Sequence, residues 1–152
     1  MHLVSQSPED TRAIAARFAA QWKESLRGRR AALVIGLEGE LGAGKTVFVQ
    51  GLATALGIHE VPRSPTFALV KTYNIPGTEY RLCHLDCYRL ENRDDLRALD
   101  VPALFADPNN LIIVEWADRI GHALPADHIV IRMSHEGEFK RSLSFNEHPT
   151  RS

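Results

Sequence analysis

The 152 residues are 44% hydrophobic and 24% charged, the composition of an ordinary globular chain with a buried core rather than of a disordered one. With 18 basic and 19 acidic side chains the formal net charge is −1, which argues against a protein that grips nucleic acid through a basic surface of its own. Two cysteines suggest no disulfide framework, no apolar run approaches the roughly 18 residues of a membrane helix, and Met1-His2-Leu3-Val4-Ser5-Gln6 lacks the layout of a secretory signal. The expected location is the cytoplasm, without membrane association.

In chain order, Ser7-Pro8-Glu9-Asp10 predicts a helix start: a capping hydroxyl, a proline suited to the first turn, and two acids facing the positive end of the dipole. Ile14, Phe18 and Trp22 then recur every four residues as one apolar stripe. The dense basic cluster Arg27-Gly28-Arg29-Arg30 fits a solvated helix end. Ala31 to Leu37 is long enough for a buried central strand, and a helix from Lys45 to Leu56 follows, stopped by Gly57 as a left-handed cap. Phe67 to Asn74 and Glu79 to Tyr88 read as an antiparallel hairpin turning at Ile75-Pro76-Gly77-Thr78. Asp94 to Leu104 has helical spacing at Leu96, Leu99 and Leu104, with a break expected at Pro102. Leu111 to Val114 is another buried strand, ending at Glu115-Trp116. Ile129, Ile131 and Met133, then Phe139, Leu143 and Phe145, alternate as the strands of a second hairpin turning at His135-Glu136-Gly137. With no repeat and no linker, residues 1–152 are expected to form a single α/β domain with a mixed parallel and antiparallel sheet.

Strand, glycine-rich loop and helix follow one another directly at Gly39-Glu40-Leu41-Gly42-Ala43-Gly44-Lys45-Thr46, which matches G-x-x-x-x-G-K-[ST] at every defined position. Glycines there let successive N–H groups turn around phosphate oxygens, with the positive end of the next helix behind them. Lys45 is placed to reach the β and γ phosphates of a nucleoside triphosphate, and Thr46 to offer its hydroxyl to magnesium. Such a site needs an acid at the end of a neighbouring apolar strand, and Glu115 holds that position. Its other reading is a surface acid pairing with Arg119 at i+4. Trp116 reads equally as a residue near nucleotide or partner and as a packed tryptophan.

Along His84-Leu85-Asp86-Cys87-Tyr88, alternation puts Cys83, Leu85 and Cys87 on one face, suited to packing inward. His84, Asp86 and Tyr88 form a polar row on the other, which a core tolerates only with partners. Zinc held by Cys83, His84 and Cys87 is disfavoured, because the histidine faces away from the cysteines and no fourth ligand is evident. Arg63-Ser64-Pro65-Thr66-Phe67 is either a segment that orders around a γ phosphate or a plain proline-containing loop.

Taken together, G-E-L-G-A-G-K-T at 39–46, S-P-T-F at 64–67, H-L-D-C-Y-R-L at 84–90 and V-E-W at 114–116 resemble the TsaE (YjeE) family of small bacterial P-loop ATPases. The resemblance spans about 33 to 120. It implies a P-loop NTPase-like three-layer fold, binding of ATP with Mg2+, and slow intrinsic hydrolysis stimulated by partners. It further implies a role in forming N6-threonylcarbamoyladenosine at position 37 of tRNAs that read codons beginning with A. The implied partners are a TsaD/TsaB-type complex, through which tRNA would be met. By motif match Thr46 and Glu115 are the implied magnesium ligands, Lys45 the phosphate-holding cation, and Asp86 the group that arranges water or metal. Ser64 and Thr66 are implied to form a switch-like loop, with Trp116 near the nucleotide and the segment around Ser7 near adenine. Departures from the family pattern are Asp100 where glycine is common, Ala117-Asp118 for a frequent proline and acid, and Cys87 for a leucine. They bear on partner contacts rather than on phosphate chemistry.

Two other functions fit the loop alone. A small-molecule kinase would need a lid and an acceptor pocket, for which the chain has little room. A nucleotide-dependent binding module would use ATP to order the 63–67 segment, with hydrolysis incidental. No arginine finger is evident within the motifs, so Arg89 or a partner's residue is left to supply that charge.

Overall fold

A computed structural model describes residues 1–40, 42–60, 70–88, 90 and 93–147. Among them seven strands form one sheet: β1 (His2–Ser5), β2 (Leu33–Glu38), β3 (Val70–Asn74), β4 (Arg81–Asp86), β5 (Asn110–Glu115), β6 (Ile129–His135) and β7 (Arg141–Glu147). The helices are α1 (Pro8–Ser25), α2 (Lys45–Ala55), α3 (Arg93–Ala98) and α4 (Val101–Ala106), with a 3-10 helix over Ala117–Ala123. The sheet order is β1-β7-β6-β2-β5-β4-β3. Its centre, β4, β5, β2 and β6, is parallel, while β3, β7 and β1 pair antiparallel outside it. This is the expected mixed three-layer arrangement. One apolar face of the sheet joins Ile35, Leu37, Leu111 and Ile113 to α1 and α2, and the other joins Val34, Cys83, Leu85, Ile112 and Val114 to α3, α4 and the 3-10 helix.

Local chemistry accounts for the elements around the loop. Ser7 is extended, with φ −162°, and its hydroxyl accepts the Asp10 N–H at 3.0 Å, so the expected cap starts α1. Ile14, Phe18 and Trp22 are buried, and Phe18 stacks on Phe145 of β7 with centroids 4.6 Å apart. Helices α1 and α2 cross at backbone contact: a Cβ on Gly51 would lie 2.5 Å from the Cα of Arg12. Gly57 follows α2 at φ 85°, and Gly77 turns the β3–β4 hairpin at φ 77°.

One strand is unforeseen and two expectations need correction. The strand β1 carries no sequence signal of its own; its residues extend because β7 offers them a ladder, His2 opposite Ser144 to Ser5 opposite Arg141. The break between α3 and α4 lies at Asp100 rather than Pro102. Asp100 takes a left-handed φ of 59°, a conformation that favours glycine, and Pro102 sits in the first turn of α4, where its missing N–H has no helical partner to lose. Phe139 is not a strand residue: β6 runs on to His135, Glu136 N–H bonds Lys140 O at 2.9 Å, and Phe139 stands 62% exposed in the loop between them. Among the described residues no helix is long and apolar enough to cross a membrane.

Candidate functional site

The carboxyl ends of the parallel strands set the site. Leu37 of β2 lies opposite Glu115 of β5, and Glu115 opposite Asp86 of β4, so the loop after β2 emerges beside both acids. Gly39, Gly42 and Gly44 have φ of 149°, 79° and 98°. A Cβ on Gly39 would come within 2.3 Å of Met133 O, and one on Gly44 within 3.3 Å of Met133 Cε, so the loop rests on β6 where side chains do not fit. Lys45, the first residue of α2, is 5% exposed, and its ammonium donates to Gly39 O and, at 3.0 Å, to Glu40 O. It also lies 3.9 Å from the centre of the Trp116 ring. Burial lowers its pKa, opposed by Glu115, then Asp118 and Asp86. Leu41, Ser64, Thr66 and Arg89 lie outside the described residues.

Glu115, 3% exposed, is held at both oxygens: Thr46 Oγ1 donates to Oε1 at 3.4 Å, and His84 Nε2 bonds Oε2. The surface pairing with Arg119 is not what forms, because the Arg119 guanidinium lies over the Tyr88 ring at 5.5 Å. Burial raises the Asp86 carboxyl above the ordinary range, the Tyr88 N–H at 2.9 Å opposes this, and Glu115 adds to it. A hydroxyl and a carboxylate side by side are hard oxygen donors, and the pair suits magnesium, which takes one or two protein carboxylates and otherwise keeps water. Cys83 and Cys87 are buried in the opposite core, and burial, with Asp86 and Asp118, pushes the Cys87 thiol up to about 12, far from a thiolate ligand. Among the described residues no group of three or more His, Cys, Asp or Glu side chains is disposed to hold a metal.

Trp116 follows β5 at φ 59°, uncommon for a bulky residue, and its ring meets Tyr88 at 4.9 Å. A cavity of about 420 Å³ opens between the start of α1, the phosphate loop and the β6–β7 hairpin. Ser7, Gly42, Gly44, Lys45, Thr46, Asp86, Glu115 and Trp116 all line it; Gly39 instead borders a separate hollow with Glu38 and Arg132, and Ala43 is buried in the core. Thr11, Tyr88, Glu138, Phe139 and Arg141 also line the cavity, and of these only Tyr88 falls within a segment the sequence marks. Arg141 Nε donates to Gly42 O at 3.1 Å, and its Nη1 to the carbonyls of Gly137, Glu138 and Lys140, so the hairpin is tied to the phosphate loop. Tyr88 alone among them had an advance signal, its place in the polar row with His84 and Asp86; the hairpin reaches the loop only by folding.

Known proteins resemble this chain in sequence and fold. The family profile described as "Threonylcarbamoyl adenosine biosynthesis protein TsaE" matches residues 5–143. A tRNA threonylcarbamoyladenosine biosynthesis protein TsaE from Bacillus subtilis is 37% identical over 139 residues, which is 91% of this chain and 80% of that one. One of the same name from Treponema pallidum is 35% identical over 135 residues, 88% of this chain and 90% of its own. The crystal structure of Bacillus subtilis YdiB aligns with a TM-score of 0.72 at 31% identity, over 98% of this chain and 86% of that one. Profile, relatives and fold thus agree over nearly the whole length, and the chain belongs to the TsaE family.

Proposed function

We propose that this chain is a single cytoplasmic P-loop ATPase domain that hydrolyses ATP in support of N6-threonylcarbamoyladenosine formation at position 37 of tRNAs reading codons that begin with A. The names of the relatives support the pathway. The observation that carries the hydrolysis is the meeting of Thr46 and Glu115 at the end of a phosphate loop, with Lys45 and Asp86 beside them. The loop N–H groups and Lys45 hold the phosphates, and Lys45 offsets charge that develops on them. Magnesium, held by Thr46 and Glu115, would neutralise the phosphate oxygens. Asp86 orients water in line with the γ phosphorus and takes its proton as the new P–O bond forms and the bond to ADP breaks. Ser7, in the cavity lining, is the group near adenine, Trp116 lies near the nucleotide, and Ser64 and Thr66 belong to the switch-like loop. Arg141 Nε and Nη1 are engaged by carbonyls; with no arginine finger within the motifs, intrinsic turnover is slow, and Arg89 or a TsaD/TsaB-type complex, which also meets the tRNA, supplies the stimulating charge.

Reconstitution with TsaD- and TsaB-type proteins tests this, with ATP hydrolysis and tRNA modification measured in one tube. Hydrolysis should be slow alone and faster with partners, and repeated rounds of modification should require the chain. Fast hydrolysis alone, with no gain from partners, overturns the reading. If Asp86→Ala abolishes hydrolysis while modification continues at full extent, nucleotide binding is the function and turnover is incidental.

A further inference from the structure

His84 lies within β4, wholly buried, with Leu82 and Asp86 on the sheet face that meets α1 and α2. Its Nε2 bonds Glu115 Oε2, and its Nδ1 has no hydrogen-bond partner among the described residues. An unpaired buried polar atom is destabilising, and an apolar residue here would extend the face of Leu82 and Ile113 without that cost. Stability alone therefore does not account for a histidine at this position.

What the ring does is fix a carboxylate. Glu115 has two oxygens, and Thr46 Oγ1 is 3.4 Å from Oε1. A carboxylate that ligates magnesium is ionised and only accepts, so in that state His84 Nε2 is the donor to Oε2. With Oε2 engaged, the carboxylate is held against rotation and against chelating through both oxygens. We infer that His84 is a positioning residue for Glu115, whose Nε2–H fixes the carboxylate so that Oε1 alone is presented, beside Thr46, to the magnesium of the bound nucleotide. This rests on the reading of Thr46 and Glu115 as magnesium ligands. Magnesium demands near-octahedral geometry and gives up water reluctantly, so one aimed oxygen suits it better than a mobile pair. Asp86, two residues on, shares the same strand face, so His84 aims the ligand of the neighbouring strand while Asp86 faces the cavity.

The test uses the full chain with ADP, reading Mn2+ affinity by electron paramagnetic resonance, metal-free affinity for a fluorescent ADP, and turnover. The variants are His84→Leu, His84→Asn and His84→Gln. A glutamine amide reaches about as far from the backbone as imidazole Nε2, whereas an asparagine amide stops one carbon short. Leucine and asparagine should weaken Mn2+ binding to the ADP complex by about 10–100-fold, with metal-free ADP affinity within about twofold, and glutamine should restore most of the loss. Unchanged Mn2+ affinity in the leucine or asparagine variant, or a glutamine variant no better than leucine, overturns the inference. Failure of both leucine and asparagine variants to fold makes the histidine structural and overturns it too. Thr46→Ala and Glu115→Gln run alongside: if these also leave Mn2+ binding unchanged, the metal site itself is misassigned, whereas indifference confined to His84 removes only its positioning role.

Discussion

Asp86 stands directly across the ladder from Glu115, and burial holds its carboxyl above the ordinary range. An acid whose native pKa is raised keeps its proton more tightly when folded than when unfolded. Stability contributed by that proton is therefore present at low pH and is lost as pH rises from the ordinary carboxylate value through the raised one. Asp86→Asn removes the penalty, so metal-free melts should show a higher Tm than wild type at pH 7 and no gain near pH 3. On the proposed mechanism the same substitution also removes the proton acceptor, and hydrolysis should fall by about 10²–10⁴-fold while nucleotide affinity holds. In the wild type, turnover should rise with pH as Asp86 loses its proton. A second residue carries backbone strain: Asp100, at φ 59° between α3 and α4, holds a conformation that costs L-residues about 1–2 kcal/mol. Asp100→Gly should relieve part of it and raise Tm by roughly 2–4 °C, readable by calorimetry.

At the scale of elements, the crossing of α1 and α2 depends on one missing side chain. A Cβ at Gly51 would meet Arg12 Cα at 2.5 Å and Arg12 O at 2.6 Å, backbone atoms that do not yield as a side-chain tip would. Gly51→Ala should therefore cost about 1–3 kcal/mol despite the better helix propensity of alanine, lowering Tm by several degrees. Gly121→Ala, where nothing lies within 4 Å, is the control and should stay within about 0.5 kcal/mol. Because α1 carries Thr11, with its cap Ser7, to the cavity wall and α2 begins at Lys45, the Gly51 change should also weaken nucleotide binding without touching a lining residue.

The cavity belongs to the whole molecule, since its lining runs from Ser7 to Arg141 and no single segment encloses it. Phe139 is exposed on the hairpin that closes one side, so Phe139→Ala should leave Tm near wild type and yet weaken nucleotide binding about 5-fold or more, by loss of an aromatic wall. Nucleotide at about 100 times its Kd should stabilise the fold by about 2.7 kcal/mol, a rise of roughly 5–11 °C that Lys45→Ala abolishes. A thermal-shift titration with ADP checks both.

The amino-acid sequence by itself determined what is decided within a few residues. The cap at Ser7, the glycine loop between β2 and α2, and the turn at Gly77 follow from φ preferences and local hydrogen bonding, which need no distant partner. Alternation along β4 showed that His84 and Asp86 share a face, but not what the face meets. Tertiary structure decided that: Thr46 meets Glu115 across 69 positions, His84 meets it across 31, and Arg141 reaches Gly42 across 99. The strand β1 exists because β7 pairs with it, and Phe139 left the strand because the turn extends further than the alternation implied. The reason is register: a strand slipped by one residue presents its other face, so which side chains converge is settled only by pairing across the sheet.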